Sequence, residues 1–282
     1  MGTARSGVMV LLGVLAPALL LECGSSGASS STTAGDTVFA EHFETGSLAA
    51  WNDGIDPSRQ RIVEDPNRAH SGSHFLAVTY PAGADGGWLT RFLRPGFDSL
   101  YVSLWVRFPE TWQGDTKLIA LYGSRTDNEW SAFGQAGKCP MGSDFFAAML
   151  VADQTTTRGT GELRFYTYYP AMAREPDGVT CWGRFGDGSE TYEPVAMTNG
   201  AWHHVEFCVR LNQPGRADAR QTVWVDGKQR GTWSGFSFRN AEILRLNAVQ
   251  LTFSRGLGGT PSQQQLDIDD VTVKIPCTVK LG

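Results

Sequence analysis

Beyond residue 36, polar and apolar side chains alternate in short runs that turn residues interrupt at near-regular intervals. That alternation has the period of a β-strand, whose side chains point to opposite faces in turn. The runs are 37–43, 73–80, 87–93, 100–108, 116–123, 144–151, 162–169, 202–212, 221–227, 245–253 and 265–273. No stretch keeps a helical period long enough for a major helix. Asp226-Gly227, at the close of one run, is a hairpin signal. Many short strands separated by Gly, Pro, Asn and Asp predict an all-β chain, a sandwich or jelly roll without internal repeat.

Three runs carry a non-core face of unusual make-up. In GELRFYTYYP (161–170), Leu163 and Phe165 share one face, while Arg164, Tyr166 and Tyr168 share the other. In LYVSLWVRF (100–108), Val102, Leu104, Val106 and Phe108 oppose Tyr101, Ser103, Trp105 and Arg107. In WHHVEFCVRLN (202–212), Val205, Phe207, Val209 and Leu211 oppose Trp202, His204, Glu206, Cys208 and Arg210. Rings and cations along one sheet face can stack on sugars and meet carboxylates or sulfates. The plainer alternative is that the rings cover the back of a sheet beneath a loop.

The segment before residue 36 is of another kind. Arg5 precedes the apolar run Val8 to Leu21, which is shorter than the ~20 residues of a membrane-spanning helix and suits a signal-peptide core. It ends in Leu-Leu-Glu-Cys, which resembles a bacterial lipoprotein box, although Glu22 departs from the small residue expected before Cys23. The expected organisation is a signal peptide of lipoprotein type at 1–23, a Ser/Gly-rich linker at 24–35 and one domain at 36–282. Such a protein is exported, extracellular or held at the cell envelope, a monomer that meets the membrane only through a lipid on Cys23. Ordinary cleavage with release is the other outcome. Removing Cys23 from five cysteines leaves Cys139, Cys181, Cys208 and Cys277, an even set that suits an oxidising compartment. They allow three pairings. The Gly/Pro-rich surroundings of Cys139 and Cys181 favour that bridge, with Cys208 to Cys277 as its complement. A net charge of −5 without a lysine-rich run argues against nucleic acid as a partner. It leaves room for a local basic cleft that binds a polyanionic sugar.

At TKLIALYG and GELRFYTYYP the chain resembles the jelly-roll polysaccharide lyases of family 14 type, which include alginate and glucuronate-polymer lyases. Lys117 matches the lysine that opens a Lys-Leu-Pro-Gly-Leu-like strand, with Ile-Ala here in place of Pro-Gly. Tyr166 and Tyr168 match a Tyr-x-Tyr pair on a later strand. WHHVEFCVRLN, VWVDGK, GFSFR and FSRGLGG follow in the expected order. The resemblance implies a concanavalin-like β-jelly-roll sandwich of two antiparallel sheets acting on an acidic polysaccharide. FETGSLAAW, AHSGSHFLAV and LDIDDVTV are similar to segments of a secreted fungal glucuronan-lyase-like group with a structural calcium. Carried over, that resemblance implies Ca2+ held by Glu44, Ser71, His74 (through its backbone carbonyl) and Asp269. Calcium takes ~6–8 oxygen ligands, so carboxylates from both chain ends would tie the sandwich shut.

A uronate lyase eliminates across C4–C5, which requires a cation on the C6 carboxylate, a base for the C5 proton and an acid for O4. The resemblance assigns these roles to Lys117, Tyr166 and Tyr168. Arg164, Tyr166 and Tyr168 occupy alternate positions, about 6.5–7 Å apart, on one face. Arg164, Arg107, Trp105, His204 and Arg239 are the expected substrate-binding residues. The chain departs from the family at a Ser-x-Arg pair, where Phe146 and Ala148 stand, and Arg107, Arg164, Arg239 and Arg255 are the guanidinium groups left to replace it. That departure keeps open a non-catalytic carbohydrate-binding module. A glycoside hydrolase of the same architecture lacks its paired carboxylates here. His203 and His204 point to opposite faces and cannot chelate one ion together.

Overall fold

The computed structural model describes residues 35–153, 162–193, 195, 197, 200–255 and 262–277. The chain divides into units 1–33 and 34–282. The first, with the expected leader and most of the linker, lies outside the described residues.

No helix occurs among the described residues, and their strands all belong to two sheets. The strands are β1 (Asp36–Glu41), β2 (Gln60–Glu64), β3 (His74–Tyr80), β4 (Trp88–Phe97), β5 (Ser99–Arg107), β6 (Thr116–Arg125) and β7 (Phe146–Asp153). There follow β8 (Glu162–Tyr168), β9 (Thr191–Tyr192), β10 (Trp202–Arg210), β11 (Ala219–Val225), β12 (Lys228–Phe236), β13 (Leu244–Thr252) and β14 (Gln264–Ile275). The larger sheet runs β2-β3-β14-β5-β10-β11-β12-β9, with β1 also paired to β14, and the smaller runs β4-β13-β6-β7-β8. All named pairings are antiparallel.

Period-two alternation explains the layering. Leu100, Val102, Leu104 and Val106 of β5 and Val205, Phe207 and Val209 of β10 are fully buried on the inner face of the larger sheet. Ile119, Leu121, Phe146, Ala148, Leu150, Val249 and Leu251 of the smaller sheet join them in one apolar core. Each such side chain contributes about 1.5–3 kcal/mol on burial, so a slip of one residue would turn a whole strand's worth outward. The hairpin expected at Asp226-Gly227 joins β11 to β12, with positive φ of 53° and 76°. Cys139 pairs with Cys181 and Cys208 with Cys277, as the loop composition favoured.

Candidate active site

The outer face of the smaller sheet carries the residues of interest. On β8, Leu163, Phe165 and Thr167 turn inward and are buried, which sends Arg164, Tyr166 and Tyr168 outward together. Across the ladder, Tyr168 faces Ala147, Tyr166 faces Met149 and Arg164 faces Val151. Val151 in turn faces Lys117, where a bulge between Lys117 and Ile119 re-aims the start of β6. The result sets Lys117 Nζ 5.4 Å from the ring centre of Tyr166, within cation–π range. The two tyrosine rings meet edge to face at 5.7 Å. Ala132, Gly134, Gln135 and Ala136 join Lys117, Tyr122, Met149 and Tyr168 in lining an open pocket of about 120 Å³ on this face.

Burial acts on each titrating group here. It lowers the Lys117 pKa from its usual value, against the opposing pull of Asp85 and Asp115. It raises the Tyr168 phenol, and Tyr166 adds to the rise, while the backbone amides of Gly183 and Gly137 oppose it. Tyr122 is pushed up to about 12 by burial alone. Tyr168 therefore keeps its proton at any working pH.

Two loops complete this edge. Residues 181–185 lie along β8, with Thr167 and Arg184 exchanging backbone bonds at 2.9 and 2.8 Å. Gly183 sits flat on Tyr166, since a Cβ there would stand 2.6 Å from the ring. Phe185 packs 5.4 Å from Tyr166, and the Arg164 guanidinium lies 4.8 Å over Phe185. The Cys139–Cys181 disulfide and the Cys181 N–H to Gly137 carbonyl bond (3.1 Å) tie this loop to the 134–143 loop.

Four expected binding residues lie elsewhere. Trp105, Arg107 and His204 do point away from the core, but from β5 and β10, central strands of the other sheet. There Trp105 is stacked between His70 (3.7 Å) and His204 (4.9 Å), and Arg107 donates to the Gly200 carbonyl at 3.2 Å. Arg239 is 2 % exposed and is held by Asp98 and the Leu244 carbonyl, a structural role. Phe146 and Ala148 also need correction as stand-ins for the Ser-x-Arg pair, because both face the core. The outward positions of β7 are Ala147, Met149 and Val151, none of which brings a guanidinium. Sequence reasoning passed over Trp88 and Trp130, exposed by 47 % and 48 % beside this sheet. It also passed over Gln250, which links Thr90 and Tyr122 on its floor. The alternation of GWLTRFL already put Trp88, Thr90 and Phe92 on one face.

The residues expected to hold calcium converge on one turn. Glu44 accepts from the Ser73 and His74 backbone amides at 3.0 and 2.9 Å, which holds its carboxyl at about 2. Asp269 accepts from the His70 and Ser71 amides at 3.0 and 3.3 Å from the other side. The neighbouring acids on β14 have side-chain partners: Asp267 takes Arg68 at 2.7 Å, and Asp270 takes His42, His70 and Ser71. Among the described residues Asp269, fully buried, accepts from backbone amides only, and burial with Asp270 beside it raises its pKa to about 6. A buried carboxylate short of positive charge, beside a second acid and a hydroxyl on the same turn, is a donor set that fits a hard divalent cation.

The structure is thus a two-sheet sandwich with a lysine, two phenols and an arginine on one sheet's outer face. The family model for polysaccharide lyase 14 matches residues 69–267, and the chain belongs to that family. Among solved structures, the PL-14 alginate lyase from Aplysia kurodai is similar, with 17 % identity, a TM-score of 0.65 and coverage of 86 % of this chain and 100 % of that one. The alginate lyase Aly36B aligns at 14 % identity and TM-score 0.63, covering 86 % and 98 %. The endo-β-1,4-glucuronan lyase of Trichoderma reesei aligns at 16 % and 0.56, covering 85 % and 95 %. These likenesses establish the shared sandwich fold. No curated protein matches the chain.

Proposed function

We propose that the protein is a lyase that cleaves a uronate-containing polysaccharide by β-elimination. The observation that carries this reading is the Lys117 ammonium 5.4 Å from the Tyr166 ring centre, beside a Tyr168 phenol that keeps its proton. Lys117 and Arg164 meet the C6 carboxylate and withdraw charge from C5. Tyr166, acting as the phenolate beside the Lys117 ammonium, takes the C5 proton and becomes the neutral phenol. The C5 electron pair forms the C4=C5 double bond, the C4–O4 bond breaks, and the departing O4 receives the Tyr168 proton. Gly183 and Phe185 keep the Tyr166 ring at a fixed angle, so little reorganisation accompanies the transfer. The substrate class follows from the two cations and from the alginate and glucuronan named for the similar lyases.

In the same reading the protein is exported as a monomer, with a signal peptide ending at Cys23 and a lipid on that residue holding it at the cell envelope. Glu44, Ser71, His74 and Asp269 hold a structural calcium. The bare outward face of β7, where Ala147, Met149 and Val151 bring no guanidinium, favours a second reading as a binding module. The test is absorbance of the unsaturated uronate product on alginate, polyglucuronate and pectate. A rise with the wild type that is lost in Tyr166→Phe supports the lyase. No rise, with retarded migration in gels containing one polymer, supports the binding module.

A further inference from the structure

The catalytic tyrosines lie at one edge of the five-stranded sheet, and most of that sheet extends away from them. From β8 the row through Arg164 and Val151 reaches Lys117, whose amide bonds the Ser254 carbonyl at 2.9 Å, and two residues back along β13 Thr252 faces Trp88 on the far edge strand β4. Trp88 is 47 % exposed, yet its indole is fixed. Nε1 donates to Asp53 Oδ2 at 2.9 Å, and Gly54, at φ +84°, lies beneath the ring, where a Cβ would stand 2.2 Å from Cδ1. The segment that supplies both residues is bound to β4 by backbone bonds, Thr90 N to the Asp53 carbonyl (2.9 Å) and Asn52 N to the Thr90 carbonyl (2.8 Å).

A large ring held rigid in solvent gains little for the fold, since half of it buries nothing. It is well prepared for a ligand, because its rotamer freedom is already lost before binding. Strands stand about 4.8 Å apart, close to the advance of one 1,4-linked pyranose, so Lys117 lies about 10 Å across the sheet from Arg164, and Trp88 lies two strands further across and about 7 Å along the strand direction. An extended chain that crosses the five strands would then pass the two cations that meet the reacting sugar's carboxylate and reach the ring at the far edge.

We propose that Trp88 is a distal subsite that stacks on a pyranose ring of the same acidic chain, about four sugars from the scissile bond. This rests on the uronate-lyase reading and deepens it: the cleft favours long chains and binds them across all five strands.

The test compares wild type, Trp88→Ala, Trp88→Phe and Asp53→Ala on polymer and on a defined uronate trisaccharide. Trp88→Ala is expected to raise KM for the polymer about five- to tenfold, with kcat within twofold and trisaccharide kinetics unchanged. Trp88→Phe recovers most of the loss, and Asp53→Ala, which frees the indole without removing it, gives a smaller rise. An unchanged polymer KM in Trp88→Ala overturns the subsite, as does an equal loss of kcat on both substrates. If the wild type forms no unsaturated product, the lyase reading fails by itself, and mobility in polymer-containing gels still reads Trp88. Retardation abolished in Trp88→Ala keeps the subsite; equal or absent retardation in both overturns it.

Discussion

Tyr166 and Tyr168 stand two positions apart on β8, yet their surroundings differ, as the proposed roles require. Tyr168 is 5 % exposed and its proton is held by burial, whereas Tyr166 lies between a glycine, a phenylalanine and the Lys117 ammonium. Replacing Tyr166 by Phe keeps the ring packed on Gly183 and removes only the oxygen. The expected result is a fall in kcat of about 10²- to 10⁴-fold with an unchanged melting temperature, read by product absorbance and calorimetry. Lys117 gives a pH prediction. Burial lowers its pKa, so on raising the pH it loses its charge earlier than an ordinary lysine near 10.5. If that charge draws electrons from C5, kcat/KM falls on an alkaline limb that begins below pH 10.5. Asp85 and Asp115 oppose the shift. Asp115→Asn is therefore expected to move the limb to lower pH, and a limb that moves up or stays fixed would remove Lys117 from the role.

The elements that hold these residues are a strand and two cross-linked loops, and the cross-link sits on the site. Cys139–Cys181 joins the 134–143 loop to the segment that covers Tyr166, and both loops place a backbone amide near Tyr168. Cys208–Cys277 lies in the other sheet, joining β10 to the residues after β14. A native disulfide contributes about 2–4 kcal/mol, so removing either should destabilise to a similar degree. Only the Cys139→Ser/Cys181→Ser variant is expected to lose kcat, by about tenfold or more at a temperature where both variants are folded, because ~1 Å of misplacement can cost on the order of 10²-fold. Equal losses from both variants would assign the first disulfide to stability alone. Much at this scale was legible in the sequence. Where period two ran clean, as in β5, β8 and β10, both the strand and its inward face were predictable. β12, with Gly231 and Gly235 inside KQRGTWSGF, broke the period and was missed, as were the short β2 and β9. Alternation tells which side of a strand faces the core, but not which of two sheets the strand joins. For that reason Trp105, Arg107 and His204 share with Tyr166 the kind of face they occupy but belong to the other sheet. Arg239, in a loop, carried no periodic signal that could reveal its burial against Asp98.

Across the whole molecule, the smaller sheet carries the proposed active site and the larger sheet gathers the domain's two ends. β14, near the C-terminal end, pairs with β1, β3 and β5, and the turn at 70–74 packs between Glu44, just after β1, and Asp269 on β14. A cation there would join segments more than two hundred residues apart in sequence and offset the charge that Asp269 buries. Binding to the folded state alone stabilises by about 2.7 kcal/mol at a hundredfold excess over Kd. For a domain of this size each kcal/mol moves the melting temperature by about 2–4 °C, so calcium should raise it by roughly 5–10 °C over a chelator-treated sample. Asp269→Asn should abolish that response. Tyr166 and Lys117 lie on the other sheet, so kcat measured well below the melting range should be nearly the same with and without chelator. A melting temperature indifferent to both chelator and calcium would leave Asp269 a carboxyl held by backbone amides alone. A calcium-dependent kcat with no thermal shift would instead move the ion from the closure of the chain ends to the cleft.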